Sequence, residues 1–294
     1  MERHLVEHRY FGTYYFADIV SDILDDPFDF LRNLEEYYGD GKYLHWVRPF
    51  PRYSALHGFI EHILDDLLQE QATVEKLASR QEQFQKFASI PSALTDLRPQ
   101  VLFIERALQH YAMRHTSFIE LLESNGHSFV DATGEDLVDY MTMLSEEGRY
   151  DELLERLVGE VFFLLFQNRR SLKVFNEMLA GQVAATDTLD ESNEITQYFA
   201  RPRVLRRVTI PTWAKRAVFF RDRGMCTTCG TDLSGVLNIS NKRNYDHMVP
   251  LAKGGLNDVT NLQLLCESCN SSKSHRVVAA SDLYEAWYSM KGRG

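Results

Sequence analysis

Four cysteines stand in two pairs, Cys226-Thr-Thr-Cys229 and Cys266-Glu-Ser-Cys269, with 36 residues between the pairs. Each Cys-x-x-Cys can turn two sulfurs towards one ion. Two such knuckles complete the tetrahedral four-thiolate set that suits zinc. Gly230 follows the first pair, where a tight knuckle needs an unhindered backbone. A closed shell of four sulfurs leaves no open position, so the expected zinc is structural rather than catalytic. Between the knuckles runs Tyr245-Asp246-His247-Met248-Val249-Pro250-Leu251, then Gly254-Gly255 and Asn261-Leu262, and Asn270 and Lys273 follow the last cysteine. A carboxylate next to an imidazole joins a ligand for a hard cation to a group that exchanges protons near neutrality. On an extended strand, neighbouring side chains point to opposite faces, so Asp246 and His247 can divide two tasks.

The surrounding chain must supply the scaffold. Of 294 residues, 44% are hydrophobic and 25% charged, which excludes global disorder and collagen-like repeats. No apolar run reaches the ~20 residues that span a bilayer, so no membrane partner is expected. The start, Met1-Glu2-Arg3-His4, lacks a basic-then-apolar leader pattern, and a cytoplasmic location is expected. In that reducing compartment cysteines serve as metal ligands or free thiols rather than disulfides. The net charge of −10 conceals a division. Residues 1–200 carry 17 Lys and Arg against 35 Asp and Glu, and residues 201–294 carry 15 against 7. All four cysteines lie in the basic third.

The expected fold is a mainly α N-terminal domain followed by a small α+β domain. We place the acidic helical domain at 1–180, a polar linker at 181–203 and the zinc-bearing domain at 204–294. Leu56, Ile60, Ile63, Leu67, Val74, Leu77 and Phe84 recur at helical spacing. Leu94, Leu97, Val101, Ile104, Leu108, Tyr111, His115, Phe118 and Leu122 step by three and four, a heptad seam. These predict a long antiparallel helical hairpin, coiled-coil-like, broken at Ile90-Pro91-Ser92, with arms of about 45 Å. Pro99 either kinks the second arm or sets its start a turn later. Two further helices are expected over 134–143 and 151–179, the second buried all round at Val161-Phe162-Phe163-Leu164-Leu165-Phe166. Trp46-Val47-Arg48-Pro49-Phe50-Pro51 must be a loop. Residues 211–223 read as an amphipathic helix entering the first knuckle. His57, His62, His110 and His115 are read as packed or surface histidines.

The stretch from Arg216 to Arg276 resembles HNH endonuclease domains of the ββα-metal type. It has Cys-x-x-Cys, an Asp-His pair followed by proline, Gly-Gly, Asn-Leu, and Cys-x-x-Cys-Asn-x-x-Lys, in that order. The resemblance covers about a fifth of the chain and leaves residues 1–200 unassigned. It implies a metal-dependent endonuclease acting on DNA, with RNA the lesser expectation, in a setting such as bacterial or phage defence.

What the resemblance implies residue by residue is as follows. His247 is the general base. Asp246 and Asn270 hold the catalytic divalent ion, and Asn261 holds the loop that positions His247. Zinc sits on Cys226, Cys229, Cys266 and Cys269. Asn270 stands where older family members have histidine, which favours Mg²⁺ or Mn²⁺ over softer metals. Such a site suits phosphodiester hydrolysis, which needs an activated water and a counter-charge for the transition state.

Lys273 and Arg276, with Lys215, Arg216, Arg221, Arg223, Lys242, Arg243 and Lys253, are candidates for phosphate contacts that position without reading sequence. Taken singly, each of these residues also has an ordinary structural role. Asp246 can cap a turn, the asparagines can cap the last helix, and a lysine can simply be solvated. The alternative functions are a non-catalytic zinc-dependent nucleic-acid-binding protein and a helical assembly scaffold with a nuclease appendage. The acidic helical domain is expected to offer a protein-binding or homodimer surface.

Overall fold

Helix formers dominate the first 185 residues, and helices are the main element among the described ones. The computed structural model describes residues 6–27, 31–38, 46–87, 99–185, 194–235, 242–273 and 277–286. In chain order the helices are α1 (Thr13–Asp25), α2 (Leu31–Tyr38), α3 (Ala55–Gln71), α4 (Val74–Phe87), α5 (Phe103–His110), α6 (Phe118–Ser124), α7 (Gly134–Glu146), α8 (Arg149–Leu165) and α9 (Arg169–Ala185). After them come strands β1 (Phe199–Arg201) and β2 (Val204–Leu205), helix α10 (Thr212–Arg221), strands β3 (Asn244–His247) and β4 (Leu262–Leu265), and helix α11 (Glu267–Lys273). The chain divides into two compact units, residues 1–16 with 60–161, and residues 17–59 with 162–294. The polar stretch 181–203 falls in the second unit, with 186–193 outside the described residues.

In the first unit the expected long hairpin is replaced by short helices. Thr73 interrupts the first arm, because its hydroxyl accepts from Lys76 N and its carbonyl from Leu77 N, starting α4 afresh. Leu94, Leu97 and the Ile90-Pro91-Ser92 break lie outside the described residues. The remainder of the second arm is two helices. Ala112 takes φ +55° just after α5, and Met113 N returns to Leu108 O. Ser117 then caps α6 in a reciprocal box with Glu120. The heptad residues Ile104, Leu108, Phe118 and Leu122 are buried nonetheless, so the apolar spacing survives a break in the helix that carries it. Pro99 precedes α5 rather than kinking it.

Buried acids tie these short helices together. Glu105 accepts from Leu102 N at 2.6 Å and Phe118 N at 3.0 Å, joining the starts of α5 and α6. Glu160 accepts from Arg9 N, Tyr10 N, the Thr13 hydroxyl and the Tyr111 hydroxyl at 2.6–2.9 Å. Burial would raise the Glu160 pKa, but these hydrogen bonds overcome it and hold the carboxyl below its usual range. Each donor would otherwise be an unpaired polar group, so the carboxylates do structural work.

The second unit holds the four-cysteine region. The helix expected over 151–179 is two, α8 and α9, separated at 166–168. Its apolar run is not buried all round either, since Phe163 is 46% exposed. The Pro49-Phe50-Pro51 segment is a loop, with Phe50 at φ +52° donating its N–H to Asn257 O. That geometry drives the Phe50 ring into a core made by Ala214, Val218, Cys226, Leu233, Leu262 and Leu264. Strands β3 and β4 pair antiparallel, with Asp246 opposite Gln263 and His247 opposite Leu262, and α11 packs on β3. Among the described residues no helix is long and apolar enough to cross a membrane.

Candidate metal centres and active site

The first knuckle hangs from the end of α10. Cys226 N donates to Thr231 O, and Gly230, at φ +71°, donates to Cys226 O, closing a turn that a side chain would strain. Thr227 N donates to Leu264 O and so fastens this knuckle to β4, which leads directly into the second. The four sulfurs lie within 4.8 Å of one another, with Cys229 and Cys266 at 3.7 Å. A Zn–S bond of about 2.3 Å sets tetrahedral edges of about 3.8 Å, so this cluster can hold a structural zinc ion. Crowding distorts the acidities. Burial and the neighbouring thiols push Cys269 up to about 12. Cys266 falls to about 6, because the Ser268 hydroxyl, the Cys269 N–H and the neighbouring thiols outweigh its burial. Four thiolates at this spacing need a cation between them.

The β3–β4 pair positions the second constellation. His247 ends β3 and is 3% exposed. Burial lowers its pKa to about 4, assisted by the Arg207 charge and opposed by Asp246. The ring is therefore neutral at pH 7 and able to accept a proton. The Asn257 carboxamide lies near enough to favour protonation, yet neither its Oδ1 nor His247 Nε2 completes a hydrogen bond among the described residues. Asn257 Nδ2 instead donates to Arg206 O, so the exposed Arg206-Arg207 stretch lies against this corner.

The loop after His247 is closed by Asn261. Its Nδ2 donates to Val249 O and Leu256 O, and its Oδ1 accepts from Val249 N, all at 2.9 Å. Its backbone carbonyl accepts from Met248 N, the residue next to His247. Gly255 sits inside this clamp, where a Cβ would lie 2.0 Å from Val249 O. Gly254, at φ +82°, backs onto Ala180 O of α9, which a Cβ would approach to 2.6 Å.

Asp246 faces α11. Its Oδ2 accepts from Lys273 Nζ at 2.7 Å and from Gln263 Nε2 at 3.4 Å. Lys273 Nζ also donates to His247 O at 2.7 Å, and its side chain is 7% exposed. Asn270 lies one turn earlier on the same helix, half-buried. A cleft of about 410 Å³ opens beside Lys273, Gln263 and Cys269, under residues 277–281. A larger cavity of about 790 Å³ lies by the first knuckle, between Phe166, Arg221 and Tyr284, away from Asp246 and His247.

The basic candidates separate into groups. Arg221 is turned inward, 1% exposed, and grips Asp222 with two hydrogen bonds and Leu262 O with a third. This corrects the expectation of a phosphate contact, since a fully buried guanidinium already spent on a carboxylate has nothing to offer solvent. Arg243 bonds Leu233 O and Ser234 O and lies over the Phe219 ring. Arg223 bonds Glu285 through its carbonyl and carboxylate. Lys242 pairs with Glu267 on the surface, Arg216 and Lys253 are exposed, and Lys215 is half-buried. Arg276 lies outside the described residues.

Sequence reasoning missed several groups. Asp222 is fully buried and accepts from Leu264 N, with Arg169 of α9 at 3.5 Å on its other side. Asp258 accepts from Thr260 and, across the chain, from Ala55 N at the start of α3. Asn176 of α9 donates to the Thr260 hydroxyl. Gln263 is the one with a readable signal, since strand pairing of β3 with β4 sets it opposite Asp246.

A family model described as HNH endonuclease matches residues 226–276, from the first zinc cysteine to just beyond α11. The N-terminal part matches no family. No curated protein matches the chain, and no solved structure does.

Proposed function

We propose that this protein is a metal-dependent endonuclease that hydrolyses DNA phosphodiester bonds at the β3–α11 site. The reading is carried by one observation. A neutral imidazole whose Nε2 completes no hydrogen bond among the described residues and a carboxylate paired with a cation sit side by side on β3, inside the segment that the HNH model matches.

The donors suit a hard divalent ion. Asp246 supplies a carboxylate oxygen and Asn270 an amide, and an ammonium already stands on Asp246 Oδ2 as a stand-in cation. Asp246 and Asn270 would hold Mg²⁺ or Mn²⁺, which would supply charge stabilisation for the transition state and for the departing sugar oxygen. His247 takes a proton from water, whose oxygen forms the new bond to phosphorus as the bond to the sugar oxygen breaks. Asn261 holds the 249–256 loop and with it the end of β3. Zinc fastens both ends of the motif and takes no part in the reaction. His247 is almost fully buried in this conformation, and the exposed Arg206 and Arg207 beside Asn257 are suited to being drawn towards a phosphate.

Incubating supercoiled plasmid with the protein in Mg²⁺, Mn²⁺ or EDTA, beside His247→Ala, tests this. Nicking that needs the ion and vanishes in the variant supports the enzyme. DNA binding without cleavage under every condition supports the second reading, a zinc-dependent nucleic-acid-binding protein. That reading draws on the burial of His247, which in this conformation keeps water from the ring.

We further propose that the helical region, net negative over residues 1–200, serves protein contacts, self-association among them, rather than DNA. Light scattering of the full chain gives its oligomeric state.

A further inference from the structure

Lys273 is not placed as a surface lysine waiting for DNA. Its ammonium bridges Asp246 Oδ2 and His247 O, each at 2.7 Å, with the side chain 7% exposed. Gln263 Nε2 approaches the same Oδ2 at 3.4 Å, and the side chain is held there because Nε2 donates to Ala279 O and Oε1 accepts from the Thr227 hydroxyl. Lys273 and Asn270 lie three residues apart on α11, on one helical face. The helix that carries Asn270 therefore also sets a cation on Asp246. Two cations of total charge +3 cannot share one carboxylate at contact distance without strong repulsion.

We propose that Lys273 is the resident counter-ion of Asp246 and exchanges with the divalent ion, so that metal binding at this site must expel its ammonium. This rests on the reading of Asp246 as a metal ligand. A lysine suits the part, because its compact charge sits on a flexible stem that can relocate without moving the helix. The expelled ammonium then needs a new anion, and a DNA phosphate is of the right kind. Metal and DNA therefore reinforce each other's binding through Lys273.

The test uses full-length, zinc-loaded protein and Mn²⁺ followed by electron paramagnetic resonance. Lys273→Met should bind Mn²⁺ at least about tenfold more tightly than wild type, because the competitor is gone. Lys273→Arg, which keeps the charge, should not show the gain, and Asp246→Asn should abolish binding. Equal or weaker binding by Lys273→Met, with Asp246→Asn still abolishing it, overturns the exchange and leaves the metal site standing. Binding that survives Asp246→Asn, or no binding in wild type and Lys273→Met alike, overturns the metal site and the exchange with it. A second measurement needs no variant. Reductive methylation read by mass spectrometry should label Lys273 slowly in metal-free protein and several-fold faster in saturating Mg²⁺. Unchanged labelling at saturation overturns the proposal.

Discussion

Buried and half-buried polar groups are handled in two ways in this molecule. In the first unit, Glu160 and Glu105 each face several donors, mostly backbone N–H groups and hydroxyls fixed by the fold. In the second unit, His247 Nε2 meets no partner among the described residues, and Asp246 is neutralised by the tip of a lysine. A carboxylate satisfied by the main chain cannot change partners without unfolding. One satisfied by a flexible ammonium can. On the proposed reading, the contrast separates groups kept for stability from groups kept available for chemistry, and burial alone would not separate them.

The largest effect should come from the sulfur cluster. Cys226→Ser or Cys269→Ser should unfold the zinc-bearing region, as should a strong chelator, because zinc binding of about 10 kcal/mol or more is folding energy in such sites. Zinc content and circular dichroism check this. His247→Ala should instead keep its zinc and lose cleavage by about 10²–10⁴-fold, the range of general-base removal. Measuring zinc and nicking on the same samples distinguishes the two variants.

Glu160→Ala sharpens the contrast from the other side. It strands four donors and should cost about 4 kcal/mol of stability, with nicking per folded molecule unchanged. Phe50→Ala should cost about 3 kcal/mol, because this ring from the N-terminal part fills the core behind β4. For the same reason a fragment of residues 201–294, lacking Phe50 and α9, should melt well below the full chain. Urea titrations read all three.

The smallest effect is a pH dependence. Burial lowers His57 to about 4, and Ser54 N donates to its Nδ1, a bond only the neutral ring accepts. The unfolded chain, with a histidine pKa of about 6.5, takes up the proton first as pH falls. The stability from the neutral ring is thus complete above pH 6.5 and is lost as pH falls towards 4. Between pH 7 and pH 5 His57 should contribute about 2 kcal/mol of the loss, beside a similar share from His247, and His57→Gln should remove only the His57 share. A loss of equal size in that variant would mean that other groups govern the acid limb.

Much of the zinc-bearing region was legible because its constraints are local. Two Cys-x-x-Cys turns, a Gly-Gly pair and an asparagine that must satisfy a tight loop announce themselves at short range. The helical region misled because heptad spacing records which side chains are buried, not whether one helix carries them. Ala112 at positive φ breaks the second arm while Leu108 and Phe118 stay in the core. The long-range ties were illegible for a different reason. Nothing near Asp258 shows that it will accept from Ala55, nor does anything near Arg221 show that Leu262 O will claim it. Lys273 falls between these cases. Its spacing from Asn270 put it on the correct face, but only the packing of α11 on β3 turned it towards Asp246.

The most direct measurement is the nicking rate per zinc-loaded molecule for His247→Ala and Glu160→Ala, each beside its urea midpoint. His247→Ala is expected to be stable within about 2 kcal/mol of wild type and inactive, and Glu160→Ala to be strongly destabilised yet active when folded. Metal-dependent nicking at the wild-type rate by His247→Ala would contradict the assignment of this site.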